Sequence, residues 1–343
     1  MPEQIIKIDG SYLEGGGQIL RTACALSAIT KKPCHVFNIR QGREKPGLMP
    51  QHLLGIQTLA KLSNADLKGD YLGSEEIKFY PRHIEAKDLH IKIETAGSIT
   101  LVLQTLIPPA LFSPFPVKIT FDGGATDTFF SPTIDYFQYV FLKILEKINI
   151  KVEVNILKRG YYPEGGAKVG VKVLSAKLKK FNLAERDQLK KILVISGASN
   201  YLKKKKVAER QVAGVREVLG KLKLPIEEKF EYYDTRCPGS QICLIGEFKN
   251  TIIGVDNLGK LGKRAEDVGK EAALELLQEQ KSDACLDKHL SDQILPYLAL
   301  AGDKSSVSVS EITNHGRTNI WVIEKFLDGK FGIKDNLITW HPL

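Results

Sequence analysis

Three consecutive glycines near the start of the chain could bring a ligand close to the backbone. Gly15–Gly17 follow a predicted strand, Ile5–Ile8, and open a predicted helix. Glycine lets the backbone approach a ligand closely, and the free N–H groups at a helix start favour phosphate. Glu14, just before the glycines, offers the carboxylate oxygens that divalent cations prefer. A tight turn with a surface acid has the same pattern, so the motif alone leaves both interpretations open.

A basic loop follows a short distance along the chain. Arg40, Arg43 and Lys45 fall within six residues and stand just before Gln51 and His52. Guanidinium groups carry forked N–H donors that match phosphate oxygens. A solvated surface loop has the same composition, and for this motif taken alone it is the commoner explanation.

His315 is the candidate nucleophile among the seven histidines. A histidine can attack an electrophilic centre and form a covalent intermediate. Most histidines nevertheless have structural or surface roles. His315 stands out because it lies in the predicted loop of the third of three repeats, which are described below.

One glycine-lysine stretch imitates an ATP-binding motif. Gly254 to Lys260 has the G-x-x-x-x-G-K spacing of a P-loop. The next residue is Leu261, so the hydroxyl that would hold Mg²⁺ is absent. A glycine-rich connection into the following helix is the better interpretation. If ATP is used, it is not bound by a Walker fold.

Three segments share the order of elements that must position these residues. Each has an apolar helix, a short alternating strand, a glycine- or charge-rich loop and a second amphipathic helix. Apolar spacing of i, i+3, i+4 indicates the helices, and alternation indicates half-buried strands. The predicted elements are Gly17–Ile29, His35–Ile39, Arg40–Gly47 and Pro50–Leu62; then Ser98–Leu106, Val117–Phe121, Asp122–Asp127 and Thr133–Ile148; then Ser291–Ala301, Val307–Ser310, Glu311–Gly316 and Thr318–Leu327.

Such a repeated unit predicts βαβ-type packing, with sheets covered by helices on one side. Equivalent loops of repeats lie together, so the three loops are candidates for one shared site. Their chemistry-bearing residues are Arg40, Arg43 and Lys45 in the first loop, Asp122 and Asp127 in the second, and His315 and Arg317 in or beside the third.

A segment of different pattern interrupts the series before the third unit. It predicts strands at 192–197, 226–232 and 241–247 and helices at 207–222 and 263–279. We therefore expect residues 1–185 to hold the first two repeats of a large domain. Residues 186–280 are expected to form an inserted small α/β domain, and residues 281–343 the third repeat.

Composition limits the class of protein. The 343 residues, 43% hydrophobic and 26% charged, are typical of a globular protein larger than one ordinary core. The net charge of +9 permits an anionic partner such as nucleic acid without proving one. Five cysteines without a C-x-x-C pair predict buried free thiols. With no apolar run of membrane-spanning length and no secretion signal, we expect a cytoplasmic protein with no membrane partner.

Six motifs, in order along nearly the whole chain, resemble those of RNA 3′-terminal phosphate cyclases. No single motif is specific, but the ordered set is. The motifs are Asp9-Gly10 with Glu14–Arg21, Ile39–Leu48 with Gln51-His52, Ala96–Thr105, Gly160–Gly166, Ser291-Asp292-Gln293, and His315-x-x-Thr318-Asn319.

The resemblance implies an α/β (α+β) fold of three repeated β-α-β-α-β-β units, each like the C-terminal domain of translation initiation factor 3, with a smaller α/β domain inserted before the last. It also implies a ligase of RNA processing that works through adenylylation. A histidine attacks the α-phosphate of ATP and releases pyrophosphate. AMP then passes to the RNA 3′-phosphate, and the neighbouring 2′-hydroxyl attacks, expels AMP and closes a 2′,3′-cyclic phosphate.

Matched position by position, the resemblance implies that His315 is the nucleophile and that Glu14 binds a divalent metal, Mg²⁺ or Mn²⁺. Phosphates of ATP or RNA are expected on Gln18, Arg21, Arg40, Arg43, Lys45, Gln51 and His52. The nucleotide is expected on Gln104, Pro132, His289, Leu290, Ser291, Asp292 and Gln293, with Asp292 close to the reactive phosphate.

One position departs from the family pattern. His289 stands where the family often has a tyrosine that would stack on adenine. Histidine can still stack, but more weakly, so the resemblance leaves the base preference open.

The partners that the resemblance implies are ATP and an RNA with a 3′-phosphate end. The sequence leaves open whether the protein forms a homo-oligomer. Two other functions compete with this one. An inactive cyclase-like factor of ribosomal RNA processing shares the fold but lacks the nucleophile, and His315 with Glu14, Arg21 and Arg43 argues against it. A plain RNA-binding module would show interleaved aromatic and basic residues, and no such stretch is evident along the chain.

Overall fold

Three sheets of this protein share one topology. The structure, a computed structural model, describes residues 4–343. In each of the three sheets the strands lie in the order first, second, fourth, third. The first two strands are parallel, and the other neighbours are antiparallel. The predicted mixed α/β fold is confirmed, and its order of elements repeats three times along the chain.

The first repeat carries the glycine loop between its first strand and first helix. Its elements are β1 (Ile6–Asp9), α1 (Gly17–Thr30), β2 (Cys34–Phe37), α2 (Pro50–Ser63), β3 (Asp66–Lys68) and β4 (Ile77–Tyr80). Both helices were predicted to within one residue. Because α1 packs against helices of all three repeats, the glycines at its start lie near the centre of the protein.

The second repeat follows the same order. Its elements are β5 (Leu89–Ser98), α3 (Ile99–Ala110), β6 (Val117–Ala125), α4 (Ile134–Tyr136), a π-helical segment (Phe137–Phe141), α5 (Leu142–Glu146), β7 (Val152–Lys158) and β8 (Lys168–Val173). The single helix predicted over Thr133–Ile148 is thus interrupted by a π-helical turn. Phe137 and Phe141 both lie in the core across this turn, with ring centroids 5.2 Å apart.

The inserted segment begins after β9 (Asn182–Leu183), the first strand of the third repeat. Its elements are β10 (Leu189–Ser199), a 3₁₀ segment (Asn200–Lys205), α6 (Val207–Leu219), β11 (Ile226–Tyr233), β12 (Ser240–Phe248), β13 (Ile252–Leu258) and α7 (Ala265–Lys281). Strand β13 was not predicted, and it contains most of the stretch that imitates a P-loop. Gly254 pairs with Ile245 of β12 there, so this stretch cannot wrap a phosphate as a loop.

The two central strands in the sheet of the inserted segment, β10 and β12, are buried on both faces. Side chains of β10 and β12 alternate between a small core under α6 and α7 and the large core of the three repeats. Ile192 and Val194 enter the small core, whereas Leu193 and Ile195 enter the large one. From its separate sheet and core we propose that residues 186–280 form an inserted domain, with 1–185 and 281–343 making the larger one.

The third repeat resumes with two short helices. Its remaining elements are α8 (Lys288–Gln293), α9 (Leu295–Leu300), β14 (Ser305–Ser308), α10 (Asn314–Phe326), β15 (Gly329–Lys334) and β16 (Leu337–Pro342). The single helix predicted over Ser291–Ala301 is wrong. Pro296 has no N–H to donate to the carbonyl of Asp292, and that carbonyl instead accepts from Asn319 Nδ2 at 2.8 Å.

Helix α10 begins four residues earlier than predicted. Thr313 is its N-cap, and the hydroxyl of Thr313 accepts from the N–H of Gly316 at 3.0 Å. His315 was expected in a loop and lies instead in the first turn of this helix. A helix holds the imidazole in a more defined direction than a loop would.

A buried ion network joins the second repeat to the inserted segment. Arg159 donates to Asp127 at 3.2 Å and to Asp135 at 2.9 Å, and Asp135 also accepts from Gln241 Nε2 of β12 at 3.1 Å. Asp127 was a candidate for the shared site but is fully engaged here, and Asp122 lies exposed on β6. The second loop therefore contributes structure rather than chemistry.

The structure bears on two expectations drawn from the composition, the state of the cysteines and the presence of membrane-spanning helices. All five cysteines are buried free thiols, as predicted. Among residues 4–343 there is no helix with the length and apolarity that crossing a membrane requires.

Candidate active site

A pocket of about 610 Å³ opens where the three repeats meet the inserted segment. Its size suits a nucleotide-sized ligand. The predicted site residues that line it are Gln18, Arg21, Gln104, Pro132, His289, Asp292, Gln293 and His315. The chain thus brings residues from α1, α3, α8 and α10 to one cavity.

His315 stands beside the glycine loop at this pocket. Its Nε2 lies 3.1 Å from Glu14 Oε1. Its ring lies against Gly16, where a Cβ would sit 3.4 Å from Cε1. Burial lowers the pKa of the imidazole; Glu14 opposes this, and Arg21 and Arg43 add to it. The ring is therefore neutral at neutral pH and keeps a free lone pair.

The glycine loop is narrow because a second histidine lies beneath it. A Cβ at Gly17 would overlap the ring of His52, so only glycine fits there. Burial, with Arg21 and Arg40 nearby, lowers the pKa of His52 to about 3. His52 is therefore an uncharged packing group under the loop and does not present a cation to a phosphate.

Arg21 is the cation best placed for an anion in the pocket. It projects from α1 and makes no hydrogen bond or ion pair with any residue between 4 and 343. Burial lowers its pKa to about 10, an effect that Asp292 opposes, so it stays charged at neutral pH. A half-buried charge without a partner is unfavourable, and an incoming phosphate would supply the missing partner.

Two arginines of the basic loop already form hydrogen bonds within the protein. Arg40 donates to the carbonyls of Lys45 at 2.6 Å and Gly47 at 3.1 Å, which holds the loop together. Arg43 donates to Glu14 Oε1 at 3.0 Å and so reaches the site. Lys45 is exposed at the loop surface, and Gln51 is half-buried at the start of α2, outside the pocket.

The opposite end of the pocket is built from amides and the first turn of α8. Gln104 Nε2 donates to Gln293 Oε1 at 2.9 Å, and Gln293 Nε2 donates to the carbonyl of His289 at 2.7 Å. Leu290 and Ser291 are buried on the far side of α8, so only their backbone could serve a ligand.

Two titratable groups of α8 have shifted pKa values. Burial raises the pKa of Asp292 to about 7, although His289 and Arg21 oppose the shift. For His289 burial lowers the pKa, but Glu275 and nearby carboxylates outweigh burial and raise it. Glu275 of α7 lies 3.7 Å from His289 Nε2, so the inserted segment orients this imidazole.

Several pocket residues were missed from the sequence. Asp256 of β13 accepts from the N–H of Thr133 at 2.6 Å, and Lys260 lies with its Nζ 5.3 Å from the ring centroid of Phe129. Both line the pocket together with residues 128–131 and Lys288. The unpredicted strand β13 concealed Asp256, and Lys260 was weighed only as a P-loop lysine.

Within the described part of the chain, no group of three histidine, cysteine or acidic side chains is arranged to hold a metal by itself. Glu14 is the carboxylate that faces His315. A Mg²⁺ ion is commonly held by one or two carboxylates together with substrate phosphates. Glu14 fits such a shared site but could not form one alone.

Known proteins match this chain over nearly its whole length. The profile of the RNA 3′-terminal phosphate cyclase family matches residues 12–333. An RNA 3′-terminal phosphate cyclase of Pyrococcus abyssi is 47% identical over 330 residues, 96% of this chain and 95% of that protein. One of Sulfurisphaera tokodaii is 44% identical over 327 residues, 94% of each. This protein therefore belongs to the RNA 3′-terminal phosphate cyclase family.

Proposed function

We propose that the protein uses ATP to convert an RNA 3′-terminal phosphate into a 2′,3′-cyclic phosphate, with AMP carried first on His315. The observation that carries the proposal is a neutral imidazole, His315, in a nucleotide-sized pocket with Arg21, which has no partner among residues 4–343. The names of the relatives agree with this reaction. The same histidine and Glu14 argue against an inactive cyclase-like factor.

In the first step His315 attacks the α-phosphorus of ATP. A P–N bond forms at the imidazole, and pyrophosphate leaves with the electrons of the broken P–O bond. Nε2 is the nitrogen that would attack, since it faces Glu14, which Arg43 also contacts, beside the glycine loop. The contact with Glu14 places the proton of the neutral ring on Nε2, so before the attack the proton must move to Nδ1 and Glu14 must turn away, which frees both the Nε2 lone pair and the carboxylate.

The freed Glu14 would hold a divalent cation, Mg²⁺ or Mn²⁺, together with oxygens of ATP. Such an ion neutralises phosphate charge as it develops in the transition state. Arg21 would bind the phosphates from inside the pocket, and Arg43 would bind them from its rim. Gln18 could bind a phosphate only through Nε2, which here donates to the carbonyl of His315 at 3.3 Å, because its Oε1 is an acceptor like the phosphate oxygens.

The adenosine would occupy the end formed by α8 and the second repeat. His289 and Pro132 would flank the base, while Gln104 and Gln293 offer amide groups to its polar edge. Asp292, with its raised pKa and its place near Arg21, would lie next to the reactive phosphate.

AMP would then move from His315 to the RNA. An oxygen of the RNA 3′-phosphate attacks the AMP phosphorus and breaks the P–N bond, which restores the imidazole. The 2′-hydroxyl attacks the activated 3′-phosphorus, loses its proton and expels AMP. The ribose itself holds these groups together, so proximity supplies much of the rate of this last step.

Three RNA ends test the proposal. With ATP and Mg²⁺ or Mn²⁺, a 3′-phosphate RNA should yield a 2′,3′-cyclic phosphate, and a 2′-deoxy 3′-phosphate end should stall as an adenylated end. A 3′-hydroxyl RNA should give neither product. Chromatography of the end groups reads the outcome. Cyclic phosphate formed without ATP, or rapid reaction of the 3′-hydroxyl RNA, would contradict the adenylate route.

A further inference from the structure

An aromatic pair lies outside the pocket, close to the glycine loop. The rings of Tyr12 and Trp321 are stacked, with centroids 4.3 Å apart and an interplanar angle of 19°. Trp321 projects from α10 and is half-buried, whereas Tyr12 is 38% exposed. Although Trp321 covers one face of the tyrosine ring, Tyr12 keeps more than a third of its surface exposed to solvent.

Two cations flank this pair on the same helix. Arg317 and Lys325 stand four residues before and after Trp321, so all three project from one face of α10. Both cations are exposed, and Lys325 Nζ lies 5.6 Å from the Trp321 ring centroid. Neither forms an ion pair with a carboxylate of residues 4–343, and the nearby Glu324 is engaged by Lys330 at 2.9 Å. We call Tyr12, Arg317, Trp321 and Lys325 the stacking stripe.

The stacking stripe adjoins the candidate active site in two places, through Tyr12 in the glycine turn and through helix α10. Tyr12 accepts from the N–H of Gly15 at 3.1 Å, so it belongs to the same turn as Glu14, which contacts His315. Along α10, Trp321 follows His315 by six residues, a rise of about 9 Å. An RNA whose end lies at His315 would reach the aromatic pair by way of the glycine turn that carries Tyr12, because Arg317, two residues from His315, projects from the opposite side of α10.

Resting on the proposed function, we propose that the stacking stripe binds the single-stranded RNA segment immediately 5′ of the terminal phosphate. Aromatic rings stack on unpaired bases of any sequence, and alternating cations neutralise the backbone between them. The exposed part of Tyr12 would contact a base, with Trp321 as its support. Arg317 and Lys325 would contact phosphates, which gives affinity without sequence preference.

Binding of a fluorescent oligoribonucleotide with a 3′-phosphate tests the stripe without any chemistry. Tyr12→Ala should raise the Kd on the order of tenfold or more, while Tyr12→Phe keeps the ring and the affinity. Arg317→Gln should weaken binding and reduce the salt slope by about 1. The matched control is Tyr201→Ala, which removes a 63% exposed tyrosine of the inserted segment and should change nothing. Quenching of tryptophan fluorescence should accompany binding, because the other tryptophan, Trp340, is buried.

Acceptor length separates this inference from the proposed function. For AMP transfer to the oligoribonucleotide, Tyr12→Ala should raise KM while kcat stays near that of the natural protein. For a nucleoside 3′-phosphate, which is too short to reach Tyr12, the two proteins should have equal KM. If the natural protein transfers AMP to neither acceptor, the proposed function fails, and the binding assay still reports on the stripe. Equal Kd values for Tyr12→Ala and the natural protein would overturn the inference.

Discussion

Glu14 Oε1 lies 3.1 Å from His315 Nε2, and the same oxygen accepts from Arg43 Nη2 at 3.0 Å. This contact joins a loop of the first repeat to the first turn of a helix of the third. Glu14 and Arg43 therefore act in opposite directions on the pKa of His315, and the nucleophile is complete only when both ends of the chain have folded together.

The pH dependence of adenylation should respond to these neighbours in opposite directions. A protonated imidazole cannot attack, so the rate falls as the pH drops through the pKa of His315. Arg43 lowers that pKa and Glu14 raises it. Arg43→Gln should therefore move the acidic limb to higher pH, and Glu14→Gln should move it to lower pH. The measurement is the rate of protein–AMP formation at saturating ATP as a function of pH.

The variants are compared by the pH at which adenylation falls to half its maximum, because either substitution also changes the maximal rate of adenylation. Lys45→Gln is the matched control, since Lys45 lies in the same loop but is not among the groups that shift the pKa of His315. If the acidic limb moved in the same direction for Arg43→Gln and Glu14→Gln, the charges of these two neighbours would not control the pKa of His315.

A methyl group at Gly17 should disrupt the glycine loop through His52. The added Cβ overlaps the buried imidazole, and overpacking of this kind costs about 1–3 kcal/mol. Gly17→Ala should lower the free energy of unfolding by that amount and slow adenylation. Adding His52→Ala should recover part of the loss. Gly42→Ala, where nothing lies within 4 Å of the new Cβ, is the control. Purely additive losses in the double variant would argue against the contact.

The sequence predicted the repeats well because their periodicity is local. Helices α1 and α2 were right to within one residue, since apolar spacing and Pro50 mark them. The start of α10 was misplaced because the cap at Thr313 is one of several possible caps in a polar stretch. Strand β13 was missed because one glycine, an aspartate and an asparagine weaken its pattern, although burial between β12 and the second repeat stabilises it.

The candidate site, too, was predicted from the sequence only in part. The motifs singled out His315, Glu14 and Arg21, and the structure brings all three to one place. The different states of Arg40 and Arg43, one bonded within its loop and one reaching Glu14, depend on tertiary contacts that spacing does not encode. The stacking stripe was overlooked because its cations and its tryptophan are four residues apart and become neighbours only on a helix.

Arg21 should matter for activity and not for folding. It has no partner among residues 4–343, so Arg21→Gln should leave the free energy of unfolding unchanged or slightly higher. Adenylation should fall on the order of a hundredfold or more, as for loss of a preorganised donor to a developing charge. Chemical denaturation and the rate of protein–AMP formation test the two parts. A large loss of stability would show that Arg21 is a structural residue. Arg82→Gln, at an exposed ion pair with Asp66, is the control.

Lys260 should behave as a rim residue and not as a P-loop lysine. It follows a strand, lines the pocket and lies over Phe129. Lys260→Ala should therefore change adenylation little, with any effect a few-fold change in the KM for ATP. Steady-state titration of ATP measures it. A loss comparable with that of His315→Ala would mean that this lysine acts directly on the triphosphate.

The central claim is that His315 carries AMP, and labelled ATP without RNA tests it most directly. After incubation with ATP and Mg²⁺ or Mn²⁺, denaturing electrophoresis should show a labelled protein, and peptide mass spectrometry should place AMP on His315. His315→Ala should abolish the adduct while the unfolding transition stays close to that of the natural protein. An adduct that persists in His315→Ala, or that maps to Lys45 or Lys260, would contradict the account.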